Sequence, residues 1–182
     1  MSMLSCISML RGINVSGQKI VKMADLRTLY EGLGFERVTT YIQSGNVIFH
    51  SDTNSSAALS KKIAGAIEEQ YGFNVPITIR TRGELKKLIS NNPFLTKENI
   101  DLSKLHITFL ETKPEAAQLV SIETVDSKGD EFYVSGSEIY LYCPGGYGKT
   151  KLSNNFIESK LKQSATTRNW KTVNILYEMA CR

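Results

Sequence analysis

Along residues 4–11 (LSCISMLR) apolar positions run almost unbroken up to Gly12, the pattern of a strand buried on both faces. From residue 23 the spacing changes: Met23, Leu26, Leu29, Tyr30 and Leu33 recur at intervals of three and four, and Gly34 follows. This predicts an amphipathic helix over residues 23–33 with a glycine stop. Residues 38–50 (VTTYIQSGNVIFH) return to β-branched and aromatic side chains, broken by Ser44-Gly45-Asn46, a composition that tolerates the positive φ of a turn and predicts a hairpin. After the polar SDTNSS, Leu59, Ile63 and Ile67 mark a second helix over residues 57–71, ended by Gly72. Residues 75–81 (VPITIRT) read as a strand with Pro76 at its start or on an edge.

Strand, helix, strand, strand, helix, strand is the split βαβ order of ferredoxin-like domains, and residues 1–81 fill one such subdomain. Residues 82–95 predict a helix ending near Asn92-Pro93, because the residue before proline avoids the α region; residues 82–100 thus read as a helical connector. The plan then repeats, with a strand at 106–110, a helix at 114–122, a hairpin at 131–143 (EFYVSGSEIYLYC) and a helix from 151. Residues 41–49 lie over residues 132–140 with Ser44-Gly45 on Ser135-Gly136, as an internal duplication would leave them, although shared turn chemistry gives the same likeness. A last helix over residues 170–181 stands in place of the final strand, with Val173, Leu176, Tyr177 and Ala180 on one face. Residues 101–182 therefore read as a second, incomplete ferredoxin-like subdomain with a C-terminal helix. The expected class is α+β: two ferredoxin-like subdomains in tandem, with antiparallel sheets and helices packed on one face of each.

Six strings, LRGINVSG, KMADLR, LGF, TYIQSGNVIF, YGKTKLSNNFIE and TTRNWKTV, occur in that order across nearly the whole chain. They resemble the signature segments of the bacterial domain-of-unknown-function 1697 family. The resemblance implies a compact α+β protein and carries no established activity.

Bulk composition narrows the setting. Of 182 residues, 41% are hydrophobic and 13 are glycine, in the range of ordinary globular proteins. No apolar run approaches the roughly 20 residues needed to cross a bilayer, and MSMLSCISMLRGIN lacks the basic start of a secretory signal. Three scattered cysteines, Cys6, Cys143 and Cys181, form neither a C-x-x-C pair nor a disulfide framework, which fits a reducing cytoplasm. A net charge of +4 permits anionic partners without the concentrated charge of a dedicated nucleic-acid binder.

Three groups of residues are candidates for a ligand. If the first two strands run the same way, Arg11 and Asn14 approach Gln43, Ser44 and Asn46, a guanidinium among amides and a hydroxyl that suits a carboxylate or phosphate. The same side chains also suit loop backbone groups. Gly145–Lys151 (GGYGKTK) precedes a predicted helix, where free N–H groups and the dipole favour an anion: Gly146 and Gly148 permit close approach, Lys149 and Lys151 add charge, and Tyr147 could stack on a base or pack. The stretch is no Walker loop, since Cys143 stands where the first glycine belongs. In Arg168-Asn169-Trp170, arginine beside tryptophan could hold a nucleobase or belong to the core, and Thr166 or Thr167 could cap the last helix. Neither His50 nor His106 has a nucleophile at motif spacing, no metal-ligand spacing occurs, and no cofactor is implied. Cys143 is the one thiol beside a candidate loop. The leading expectation is a binding protein for a phosphate-bearing ligand, a nucleotide or nucleic acid. The alternatives are an enzyme acting on a small anionic metabolite in a cleft between the subdomains, or a protein-binding scaffold.

Overall fold

The computed structural model describes residues 3–182, so the first two residues of the N-terminal stretch discussed above lie outside the described residues. The first half runs β1 (Leu4–Leu10), α1 (Met23–Gly32), β2 (Glu36–Tyr41), β3 (Asn46–Ser51), α2 (Ser56–Tyr71), β4 (Ile77–Thr81) and α3 (Arg82–Ser90). Its four strands form one antiparallel sheet in the order β2-β3-β1-β4. Alternation sends Cys6, Leu10, Val47, Phe49, Ile77 and Ile79 into a core with Leu26, Leu29 and Tyr30 of α1 and Leu59, Ile63 and Ile67 of α2. Within it the Ser8 and Tyr30 hydroxyls lie 2.8 Å apart, which satisfies both polar groups in full burial. Ser55 caps α2 by accepting from the Ala58 N–H, and Gly72 at φ 76° ends it.

The second half repeats the order: β5 (Leu105–Leu110), α4 (Ala116–Glu123), β6 (Glu131–Ser135), β7 (Glu138–Tyr142), α5 (Asn154–Leu161), β8 (Ala165–Asn169) and α6 (Trp170–Ala180). The sheet order is β6-β7-β5-β8, again antiparallel. The strand missing from the sequence reading is therefore present as β8. Its polar sequence, ATTRN, hides it: Thr166 and Arg168 are buried because they bond to one another, Arg168 Nη1 donating to Thr166 Oγ1 at 2.7 Å.

The duplication extends to single positions. Ile7 pairs with Arg80 and Ile107 with Arg168, so each last strand buries an arginine at the same station, and each runs straight into a helix, β4 into α3 and β8 into α6. Leu10 N–H donates to Gly45 O at 2.9 Å and Leu110 N–H to Ser137 O at 2.8 Å. Gly45 is thus equivalent to Ser137 rather than to Gly136: the overlay is shifted by one residue along the return strand and by three along the outgoing strand, where Tyr41 matches Ser135, because the first turn contains residues 42–45 and the second only 136–137. A one-residue slip exchanges sheet faces, so Phe49 corresponds to the core residue Leu141, not to Tyr140. By chain contacts the molecule divides into two compact units, one up to Leu88 together with Ile175–Arg182, the other Ile89–Asn174. No helix among the described residues is long and apolar enough to cross a membrane.

Candidate functional site

Because β1 and β2 both run antiparallel to β3, the end of β1 and the β2–β3 turn share one edge of the first sheet. There residues 11–22 form a loop tied down by Asn14. Its Nδ2 donates to Val21 O at 2.9 Å and to Gln43 O at 2.8 Å, and its Oδ1 accepts from Val21 N–H at 2.8 Å. Arg11 N–H donates to Pro76 O at 2.9 Å, which holds the same loop to the lead-in of β4. Asn46 is fully buried, and its Nδ2 donates to Tyr41 O at 3.2 Å and to Ser44 Oγ at 3.0 Å. The amides of Asn14 and Asn46 therefore tie the two segments together, and beside them Arg11 is half-buried and Gln43 exposed.

Both segments are strained. Gly12, Asn14, Ser16, Gly17 and Lys19 in the loop, and Ile42 and Gly45 in the turn, all have φ between 46° and 75°. For Ile42, at φ 50°, a β-branched side chain makes this conformation a true outlier. Such strain survives only where the surroundings over-determine it, and it gathers at functional sites. Gly45 has no alternative, since a Cβ there would lie 2.7 Å from Ile13 Cδ1 and 2.8 Å from Leu10 Cβ. Sequence reasoning missed the apolar part of this edge: Val15, Ile20 and Ile42 are 58%, 57% and 50% exposed. The available signal was aliphatic residues at loop positions that fit neither strand nor helix period.

The loop at 145–151 differs from expectation. Its 3-10 turn, Tyr147–Lys149, is separated from α5, which starts at Asn154 with Ser153 accepting from Phe156 N–H. Inside the loop, Gly146 N–H donates to Cys143 O, Lys149 N–H to Gly146 O and Thr150 N–H to Tyr147 O, while Leu152 N–H donates to Thr150 Oγ1. Those donors bind the loop to itself instead of facing an anion. Tyr147 stacks on His106 with ring centroids 4.9 Å apart, so this ring packs within its own unit. Lys151 Nζ lies 3.9 Å from Asp126, and Gly148 and Lys149 are exposed.

Arg168, Asn169 and Trp170 also have structural work. Arg168 is buried and donates to Thr167 O at 3.0 Å as well as to Thr166, and Trp170 is buried. Asn169 Oδ1, not Thr166 or Thr167, caps α6 by accepting from Thr172 N–H at 2.8 Å; Thr167 Oγ1 instead bonds Thr108 Oγ1 and Asn154 Oδ1, each at 2.7 Å. Burial pushes the Cys143 thiol up to about 11, the opposite of an activated nucleophile. Burial likewise holds the proton affinity of His50 and His106 below the usual range. Among the described residues no three His, Cys, Asp or Glu side chains gather as metal ligands.

The comparisons with known proteins agree with the fold. The family model for a protein of unknown function, DUF1697, matches residues 3–140. No curated protein matches the chain. Among solved structures, the conserved bacterial protein SP0830 from Streptococcus pneumoniae is similar: it is 26% identical over 98% of this chain and 99% of that one, with a TM-score of 0.77.

Proposed function

The chain belongs to the DUF1697 family of proteins of unknown function, and from that premise we propose that it is a binding protein for a phosphate-bearing ligand, a nucleotide or a segment of nucleic acid, held at the edge formed by residues 11–22 and 42–45. The observation that carries this reading is the Asn14 staple: one side chain fixes two strained segments against each other, 2.8 Å from Gln43 O and 2.9 Å from Val21 O. The two segments so joined carry the Arg11 guanidinium, the Gln43 amide and the exposed aliphatic side chains Val15, Ile20 and Ile42. Guanidinium suits phosphate oxygens through its planar fork of donors, and aliphatic surface suits the face of a base or sugar. Lys149 and Arg168 are less suited, one standing on a self-bonded loop and the other buried in β8.

The test is a melting screen of nucleotides, oligonucleotides and small anionic metabolites, since a ligand that binds only the native state raises the unfolding free energy by about 2.7 kcal/mol at a hundred times its Kd. A hit should vanish in Arg11→Ala and persist in Lys61→Ala, a change on an exposed face of α2. Steep loss of affinity with added salt identifies nucleic acid, because binding there releases counterions. A hit insensitive to Arg11→Ala would remove this edge as the site.

A further inference from the structure

At the other end of β1, seven residues or about 20 Å away, the first unit contains a hollow of about 700 Å³, a volume that accommodates a nucleotide-sized ligand. Ser5, Thr81, Arg82, Lys86, Tyr177 and Cys181 line it, and among the described residues none of its lining side chains is a carboxylate. The nearest acid on α3, Glu84, is engaged by Thr81, whose N–H and Oγ1 donate to it at 2.7 and 2.9 Å. Ser5 sits opposite His50 in the sheet, and after burial itself the charges of Arg37 and Arg82 hold down the proton affinity of His50, offset in part by Glu36. The wall is well fixed: Ser5 Oγ donates to Ala180 O at 3.0 Å, pinning the end of α6 that carries Tyr177 and Cys181.

We propose that this hollow is a second anion-binding pocket, for a phosphomonoester, with Arg82 and Lys86 meeting the phosphate and the α6 end forming the wall. A guanidinium and an ammonium on one wall, with no lining carboxylate among the described residues, match the two charges of such a group. The pocket is independent of the Arg11 edge, and its test does not depend on that edge.

Cys181 is the reporter. It is exposed, whereas Cys6 and Cys143 are buried with their thiols pushed up to about 11. The probe is the dianionic disulfide dithiobis(nitrobenzoate), with uncharged dithiodipyridine as reference. The Cys181 thiol gives its proton to solvent, its sulfur attacks one reagent sulfur, the reagent S–S bond breaks, and a thiolate leaves as the mixed disulfide forms. Arg82→Ala should slow the anionic reagent about five-fold, the effect of roughly one unit charge at contact in water, and leave the uncharged reagent unchanged. Lys86→Ala, which retains Arg82, should act in the same direction, and Arg11→Ala should do nothing. Phenyl phosphate should protect Cys181 saturably in the wild type and more weakly in Arg82→Ala. Equal slowing of both reagents, an anionic rate indifferent to both substitutions, or protection no greater than that of sodium chloride at equal ionic strength would each overturn the proposal.

Discussion

Replacing Gly45 with alanine tests the junction between the turn and the loop. Two penalties coincide there. The residue has φ 75°, a conformation that costs an L-residue about 1–2 kcal/mol. In addition, the new methyl would lie 2.7 Å from Ile13 Cδ1 and 2.8 Å from Leu10 Cβ. Ile13 is buried and can turn only within a filled space, and Leu10 Cβ is fixed to β1, whose N–H holds Gly45 O at 2.9 Å. Overpacking of this kind costs a further 1–3 kcal/mol or so. The sum, about 2–5 kcal/mol, lowers Tm by roughly 5–15 °C for a chain of this size. Gly17→Ala is the internal control: its φ is 72°, but nothing lies within 4 Å of the added Cβ. Only the conformational penalty of about 1–2 kcal/mol applies there, and the stiffer unfolded chain, which offsets about 0.4–1 kcal/mol, does so alike in both variants and cancels from the comparison. Thermal and urea unfolding of the two variants side by side gives the comparison. If Gly45→Ala loses no more stability than Gly17→Ala, the close approach of turn to loop is not what holds this edge together.

Two further outcomes follow from the same geometry. Asn14→Asp keeps the side-chain shape but replaces the amide donor with an oxygen facing Val21 O and Gln43 O, so it should cost about 1–3 kcal/mol and weaken any ligand lost in Arg11→Ala; urea midpoints and the melting screen read both effects. Cys6 and Cys143, each raised from 9.0 to about 11, keep in the native state protons that the unfolded chain releases from about pH 9 upward. Stability is therefore full below pH 9 and falls as pH rises through 11; urea midpoints of the wild type should drop over that window, and the double variant Cys6→Ala/Cys143→Ala should show a flatter alkaline decline.

The sequence disclosed those elements whose apolar residues keep a clean period. α1 and α2 carry three- and four-residue spacing into one core, and the two hairpins carry alternation, so their order alone was enough to reach the ferredoxin-like plan. It concealed β8, where burial is satisfied by hydrogen bonds among Thr108, Thr166, Thr167 and Arg168 instead of by apolar surface. At the candidate site, the meeting of the Asn14 loop with the 42–45 turn followed from strand direction. Which polar atoms face outward did not, because an asparagine that staples backbone and one that awaits a ligand look alike in a string of letters. The same ambiguity covered Asn169, a helix cap, and Tyr147, a packing partner of His106.

Ile42 keeps a backbone conformation that asparagine or glycine would adopt with less strain, and it does so with its side chain half in solvent. Substituting asparagine should gain about 1 kcal/mol. A laboratory selection for heat resistance alone would therefore rewrite position 42 early, and a selection that also demanded the protein's own task would leave the isoleucine in place. Running the two selections in parallel turns one dihedral angle into a reporter of what this surface is for.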